Sequence, residues 1–356
     1  MRIEIDRSTR LDHGAPGGHN RWHPGIEPVA SAQPGETVTF ELRDSRDGTL
    51  SGASTHDDLL AIPSLAHPLT GPLEIRGAEP GDVLEVEVLG YETDDFGWTG
   101  IWPGSGFLGD LFAEPFLAKW QLDGDRARSD QVPGVSVPAN VFAGVIGVAP
   151  SPGLFDAARV REQALVEQGG VAQLPDPEGA APPSVPDGLR TFPPRENGGN
   201  LDVRDLVAGS TLLLPVHVAG ALLSIGDLHF AQGDGEVCIA AIETGGAATV
   251  RVGLRSEGWR PRFPAWQTPA RPGRDYFATT GIALADDGSQ GDMDLNLATR
   301  RALIEMLDYL QAERRLGRES AYVLMSAVVE LRISEIVDVP NPLVSALLPL
   351  DVFDRA

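Results

Sequence analysis

ALLSIGDLHFAQGDGEVCIAAI, residues 221–242, decides the fold. Two apolar runs rich in Leu, Ile, Val and Ala flank a polar segment broken by Gly226, Gly233 and Gly235. Such short runs bounded by glycine read as strand, loop, strand. The same punctuation runs through the chain, where 41 glycines and 29 prolines separate short stretches of Val, Ile, Leu and Thr. AQPGETVTFELR (32–43) and AEPGDVLEVEVL (78–89) are two Pro-Gly turns, each entering an alternating strand; Val38, Phe40 and Leu42 share one face of the first.

Two stretches break this pattern. Residues 154–169 have helical periodicity, and in LATRRALIEMLDYLQAERRLG the side chains Leu303, Met306, Leu307 and Leu310 fall on one helical face, with Gly317 suited to the end. SAYVLMSAVVELRI reads as a second helix running towards a strand. The expected class is mainly β with α+β character: β-sandwich or barrel-like lobes, with a C-terminal helical hairpin (297–330) packed on β-structure. No GxGxxG or P-loop occurs, which argues against a doubly wound sheet. The proline-rich stretch 172–190 predicts a connector between lobes 1–171 and 191–356 that share one site. YETDDFGWTGIWPGSGFLGD (91–110) predicts a long loop, either covering a pocket or pinned to the surface by Trp98 and Trp102.

The net charge of −23 repels phosphate backbones and anionic lipid, so nucleic acid and membrane are poor partners. It suits a small neutral or cationic molecule. Cys238 is the sole cysteine, so no intrachain disulfide can form; EVCIAAI places it on a core strand. The longest apolar run, TLLLPVHVAGALLSI, is too short to cross a bilayer, and MRIEIDRSTR lacks the apolar region of a signal peptide. A cytoplasmic location is expected.

Asp227 and His229 are two residues apart, which on a strand puts both on one face, able to bind a divalent metal or to work as an acid–base pair. Alone, the pattern also fits a satisfied histidine at a strand end. Glu236 can join only if the connection is wide. A two-residue turn at Asp234–Gly235 would leave it ~13 Å from the position opposite His229. A loop over 230–235 makes His229 and Glu236 cross-strand neighbours. In RENGGNLD (195–202), Asn-Gly-Gly permits left-handed backbone whose N–H groups could face an oxyanion, or it forms an ordinary turn. His19 and His23 stand in GGHNRWHP, where Gly17, Gly18 and Pro24 favour a loop over a helix; THDD (55–58) reads as a solvated turn, and AHPLTGP (66–72) carries a further histidine.

Together, RENGGNLDVRDL, GDLHFAQGDGE, HPLTGPLEIRGAEPGD and SAYVLMSAVVELRISEIVD resemble the acetamidase/formamidase family, in order from about His19 to Pro349. The resemblance implies a β-rich homo-oligomer, a dimer or trimer, that hydrolyses short amides to ammonia and the acid. It implies a divalent metal, zinc ahead of calcium. It carries over Asp227, His229, Gln232, Asp234 and Glu236, then Asn197, Asn200 and Asp202. His19 is the choice for an N-terminal histidine and His23 the reserve.

On this reading Asp227 and His229 hold the metal with His19 or Asp202, Glu236 is the general base, and the NGGN amides face the oxyanion. Ser326 and Glu330 on the last helix are a supporting pair or a helix-surface pair. A lactam or larger amide on the same site is the alternative within the class. A non-catalytic β-sandwich binding Ca²⁺ through its acidic cluster is the alternative outside it.

Overall fold

The computed structural model describes residues 1–63, 65–107, 109–134, 136–236, 238–271, 274–316, 321, 329–350 and 353. The principal strands are β1 (Thr37–Leu42), β2 (Leu69–Ile75), β3 (Val83–Ile101), β4 (Phe116–Leu122), β5 (Phe142–Val148), β6 (Gly198–Asn200), β7 (Thr211–Pro215), β8 (Leu223–Ala231), β9 (Ile242–Arg255), β10 (Ala265–Arg271), β11 (Arg274–Gly281), β12 (Glu330–Glu335) and β13 (Leu343–Pro349). With shorter strands they join one mostly antiparallel network of 18. The mainly β expectation is borne out.

β9 organises the network. Along one side it pairs with β3, from Glu243 opposite Trp98 to Arg255 opposite Val83. Along the other it changes partner: Glu243 and Thr244 pair with His229 and Leu228 of β8, whereas Gly246–Arg251 pair with β1. The change falls at Gly245–Gly246. A Cβ on Gly246, at φ 157°, would lie 1.9 Å from the Glu92 carbonyl oxygen, so only glycine permits the crossing. Strands from both sides of 172–190 therefore interleave.

The core follows the alternation. Val38, Phe40 and Leu42 of β1 are fully buried with Leu84 and Val86 of β3 and Val250 and Val252 of β9. Burying each such side chain contributes about 1.5–3 kcal/mol before ordering costs are subtracted.

Helix α1 (Pro152–Glu167) starts where Ser151 Oγ accepts from the Leu154 N–H and Pro152 takes the first helical position. Two buried ion pairs, Arg195–Glu162 and Arg161–Glu196, tie it to the NGGN segment. Helix α2 (Leu295–Arg314) is capped by Asp294 and lays Ala298, Ala302, Met306 and Leu310 on β10, β11 and β13. It ends at Arg315 in a left-handed conformation, before the expected Gly317. Most of the hairpin's second arm, including Ser326, lies outside the described residues. Glu330 opens β12 and is exposed, on a strand rather than a helix.

Two expectations are corrected. The loop predicted over 91–110 is largely strand, because β3 runs to Ile101 and buries Trp98 against β4 and β9. Cys238 is half-buried in a turn, its Sγ 3.4 Å from the Ala240 carbonyl, because β9 begins only at Ile242. The segment 172–190 packs on the N-terminal loop: Trp22 and Leu189 exchange backbone hydrogen bonds, and Asn20 Oδ1 accepts from the Ala181 N–H.

Candidate active site

β8 carries the first pair. His229 Nε2 lies 3.3 Å from Asp227 Oδ2, as same-face alternation requires. Asp227 has φ 58°, a left-handed conformation costing on the order of 1–3 kcal/mol inside a strand. Strain of this kind persists only where surrounding structure holds it. Gly144 of β5 supplies the room: a Cβ there would lie 2.3 Å from Asp202 Oδ1 and 2.8 Å from Asp227 Oδ2.

β9 supplies a residue that the sequence reading missed. Glu243 is the cross-strand neighbour of His229, with Oε2 3.4 Å from Nε2. The Ala241 N–H donates to its Oε1. The sequence reading gave that place to Glu236. The connection is wide, as expected, but it spans 232–241, so Glu236 sits in the loop and reaches the cluster from there. The loop is held from outside: Gly235 N–H donates to the Ser334 carbonyl on β12, and Arg332 pairs with Asp234, which points away from the cluster.

Asp202 follows β6, which pairs with β5, and its Oδ1 lies 3.9 Å from His229 Nδ1. Gln232 donates to the Asp202 carbonyl. Asn200 donates to Asp338, whose backbone N–H in turn donates to Glu335. Asn197 turns the other way and donates to the Val148 carbonyl. Gly198 and Gly199 are left-handed as predicted, but the Gly198 N–H donates to the Arg195 carbonyl and the segment pairs with β5.

His19 is not brought to this cluster. Burial holds its imidazole down to about 4, hence neutral. Its Nδ1–H donates to the Arg21 carbonyl, so Nε2 accepts from the Ser224 hydroxyl. His23 packs its ring edge on Phe155, and His56 accepts from the Leu117 N–H. The histidine that does approach is His67, with Nε2 3.9 Å from Asp227 Oδ2.

Beside the cluster is a cavity of about 10 Å³, room for about one water, lined by Arg46, His67, Trp102, Asp227, Glu236 and Glu243 among others. A second, open cavity of about 430 Å³ reaches Glu236 and Gln232 past Trp120, Cys238 and Ile242. Charge in the closed site is divided unevenly. Burial pushes the His229 imidazolium down, but Glu243 and Asp227 outweigh it and hold its pKa well up. Burial, then the nearby Asp202, raises the Glu236 carboxyl well above its usual range. Burial raises Asp202 likewise and takes Asp338 to about 8.

Asp202, Asp227 and His229 form one set of three ligand atoms within 4.8 Å of one another; His229, Glu236 and Glu243 form another. Both Asp202 carboxylate oxygens, Asp227 Oδ1, both His229 nitrogens and Glu243 Oε2 are buried without a hydrogen-bond partner. Buried polar atoms left unpaired are costly, and a divalent cation would satisfy several at once. The residues fit one.

Residues 4–355 match the acetamidase/formamidase family. The chain belongs to it. Relatives of this amidase family include a formamidase of Methylophilus methylotrophus, 34% identical across 99% of this chain and 93% of its own. An acetamidase of Mycolicibacterium smegmatis is 33% identical across 92% and 90%. Among solved structures, a gamma lactamase from Delftia acidovorans superposes with a TM-score of 0.72 at 32% identity, covering 100% of this chain and 94% of that one. An acetamidase from Bacillus halodurans gives 0.75 at 29%, covering 95% and 96%.

Proposed function

We propose that this chain hydrolyses short linear amides of the formamide and acetamide kind to ammonia and the carboxylic acid. The observation that carries the reading is the buried Asp202–Asp227–His229–Glu243 cluster with Glu236 beside it, in a member of the acetamidase/formamidase family.

Asp227, His229 and Asp202, with Glu243 across the strand, would hold a divalent cation. A bound cation would supply a Lewis acid and lower the pKa of its water. The imidazole in both candidate sets favours zinc over calcium, which prefers oxygen donors throughout. Glu236 takes the proton of the attacking water. It then returns that proton to the departing nitrogen. Gln232 and Asn200 orient Asp202 and Asp338 around the cavity; Asn197 supports the fold through Val148.

A lactam is the second reading. The open cavity beside Glu236 favours it, since it has room for a ring or longer substituent. Copies are expected to associate, and the exposed Phe107, Leu111 and Phe112 offer apolar area for contact. No described helix is long and apolar enough to cross a membrane.

The test is ammonia release from formamide, acetamide and propionamide, and ring opening of 2-pyrrolidinone to its amino acid, by the purified protein, with elemental analysis of the same sample. Turnover of the linear amides with bound zinc supports the reading. Absence of turnover on every amide overturns it.

A further inference from the structure

We infer that Arg46 binds the carbonyl oxygen of the amide, holds it as it becomes an oxyanion, and then holds the carboxylate product. The inference rests on the amide-hydrolase reading above.

Arg46 lines the closed cavity together with Asp227, Glu236 and Glu243. Its placement is built in. Asp44 Oδ1 accepts from the Arg46 and Gly48 N–H groups, and the Trp98 indole N–H donates to Asp44 Oδ2. The neighbouring buried pair Arg43–Asp47 fixes the same turn. The guanidinium lies 4.9 Å from the Trp102 ring centre and 5.7 Å from that of Phe192, held by aromatic faces rather than by an acid.

Its donors are unspent. Nε is buried without a hydrogen-bond partner, and no ion pair joins Arg46 to any described carboxylate. The buried Arg43, Arg161 and Arg195, by contrast, each end on an acid. A guanidinium stays charged at any working pH and presents its N–H groups in a planar fork that matches two oxygens. Meanwhile the NGGN amides are committed to the Arg195 turn and to β5, which leaves the developing charge without the donors first expected for it.

The step balances with water alone. The water oxygen forms a bond to the carbonyl carbon, the π pair moves onto the carbonyl oxygen, and Arg46 N–H groups donate to it. The pair returns as the C–N bond breaks, the nitrogen leaves as ammonia with the proton from Glu236, and the acid ionises against Arg46. A cavity with this many carboxylates would otherwise repel that product.

The experiment compares wild type with Arg46→Ala and Arg46→Lys on acetamide, measuring kcat, KM, melting temperature, bound metal and inhibition by acetate. Wild-type turnover tests the amidase reading independently, and its absence would remove both claims. Expected for Arg46→Ala is a loss of about 10²–10³ in kcat, with metal content kept. Acetate inhibition should weaken at least about tenfold, and added guanidinium ion should restore part of the turnover. Arg46→Lys should fall in between, and it carries the test if the alanine variant fails to fold. Acetate inhibition unchanged in the folded variant, or kcat within about threefold of wild type, overturns the inference.

Discussion

His229 and Glu243 face each other across β8 and β9, with Nε2 3.4 Å from Oε2. The contact ties the two strands at the point where both enter the site. Glu243→Gln keeps the packing and the acceptor for the Ala241 N–H but weakens a cation ligand. It should lower zinc affinity by at least about tenfold and turnover with it. His19→Ala should behave oppositely: a lower melting temperature from two lost buried hydrogen bonds, and unchanged metal stoichiometry. Zinc titration and melting curves on both variants check this. Metal loss in His19→Ala with none in Glu243→Gln would reverse the assignment.

Glu236 should control the rate without holding the fold. Glu236→Gln is expected to cut kcat by ~10²–10⁴ while bound metal and melting temperature barely change. Turnover near wild type would remove it from the mechanism, and loss of metal would make it a ligand.

Gly144 tests the geometry from behind. A single methyl at Gly144 would collide with Asp202 and Asp227. Gly144→Ala should therefore cost about 1–3 kcal/mol of stability and displace the carboxylates from the cation. A variant with full metal content and full turnover would show that the cluster is looser than drawn.

Far from the site, Glu305 on α2 accepts from the Arg262 N–H, and burial pushes its carboxyl from 4.5 up to about 7. The folded state therefore binds this proton more tightly than the unfolded chain does. Its contribution is most favourable below about pH 4.5 and is lost as pH rises through about 7, a change of about 3 kcal/mol. Glu305→Gln should remove that slope and raise the melting temperature at pH 8, while leaving it little changed at pH 4. Equal slopes in both proteins would show that Glu305 titrates normally.

Asp227 and His229 were legible because a two-residue spacing on a strand has one geometric outcome. Asp202 and Asn200 were legible through the family resemblance, and the need for a wide connection followed from chain length alone. Glu243 was not, since its pairing depends on where the loop closes, and VCIAAI looked apolar enough to begin the strand early. An acid between Ile242 and Thr244 in an otherwise apolar run was the available signal. Arg46, His67 and Asp338 come from segments far apart in sequence, and only tertiary packing brings them together. His19 misled because a loop histidine can be spent on a carbonyl and a hydroxyl as readily as on a metal.

The crossing at Gly245–Gly246 has a consequence for how the molecule breathes. The residues just before it belong to the site and those just after it to the ladder with β1, and β3 runs unbroken beside both. Glu243 therefore cannot detach as part of a small, separately fluctuating unit. Exposing it requires parting strands that the whole core holds, so the rare openings of this half of the site should approach the cost of complete unfolding.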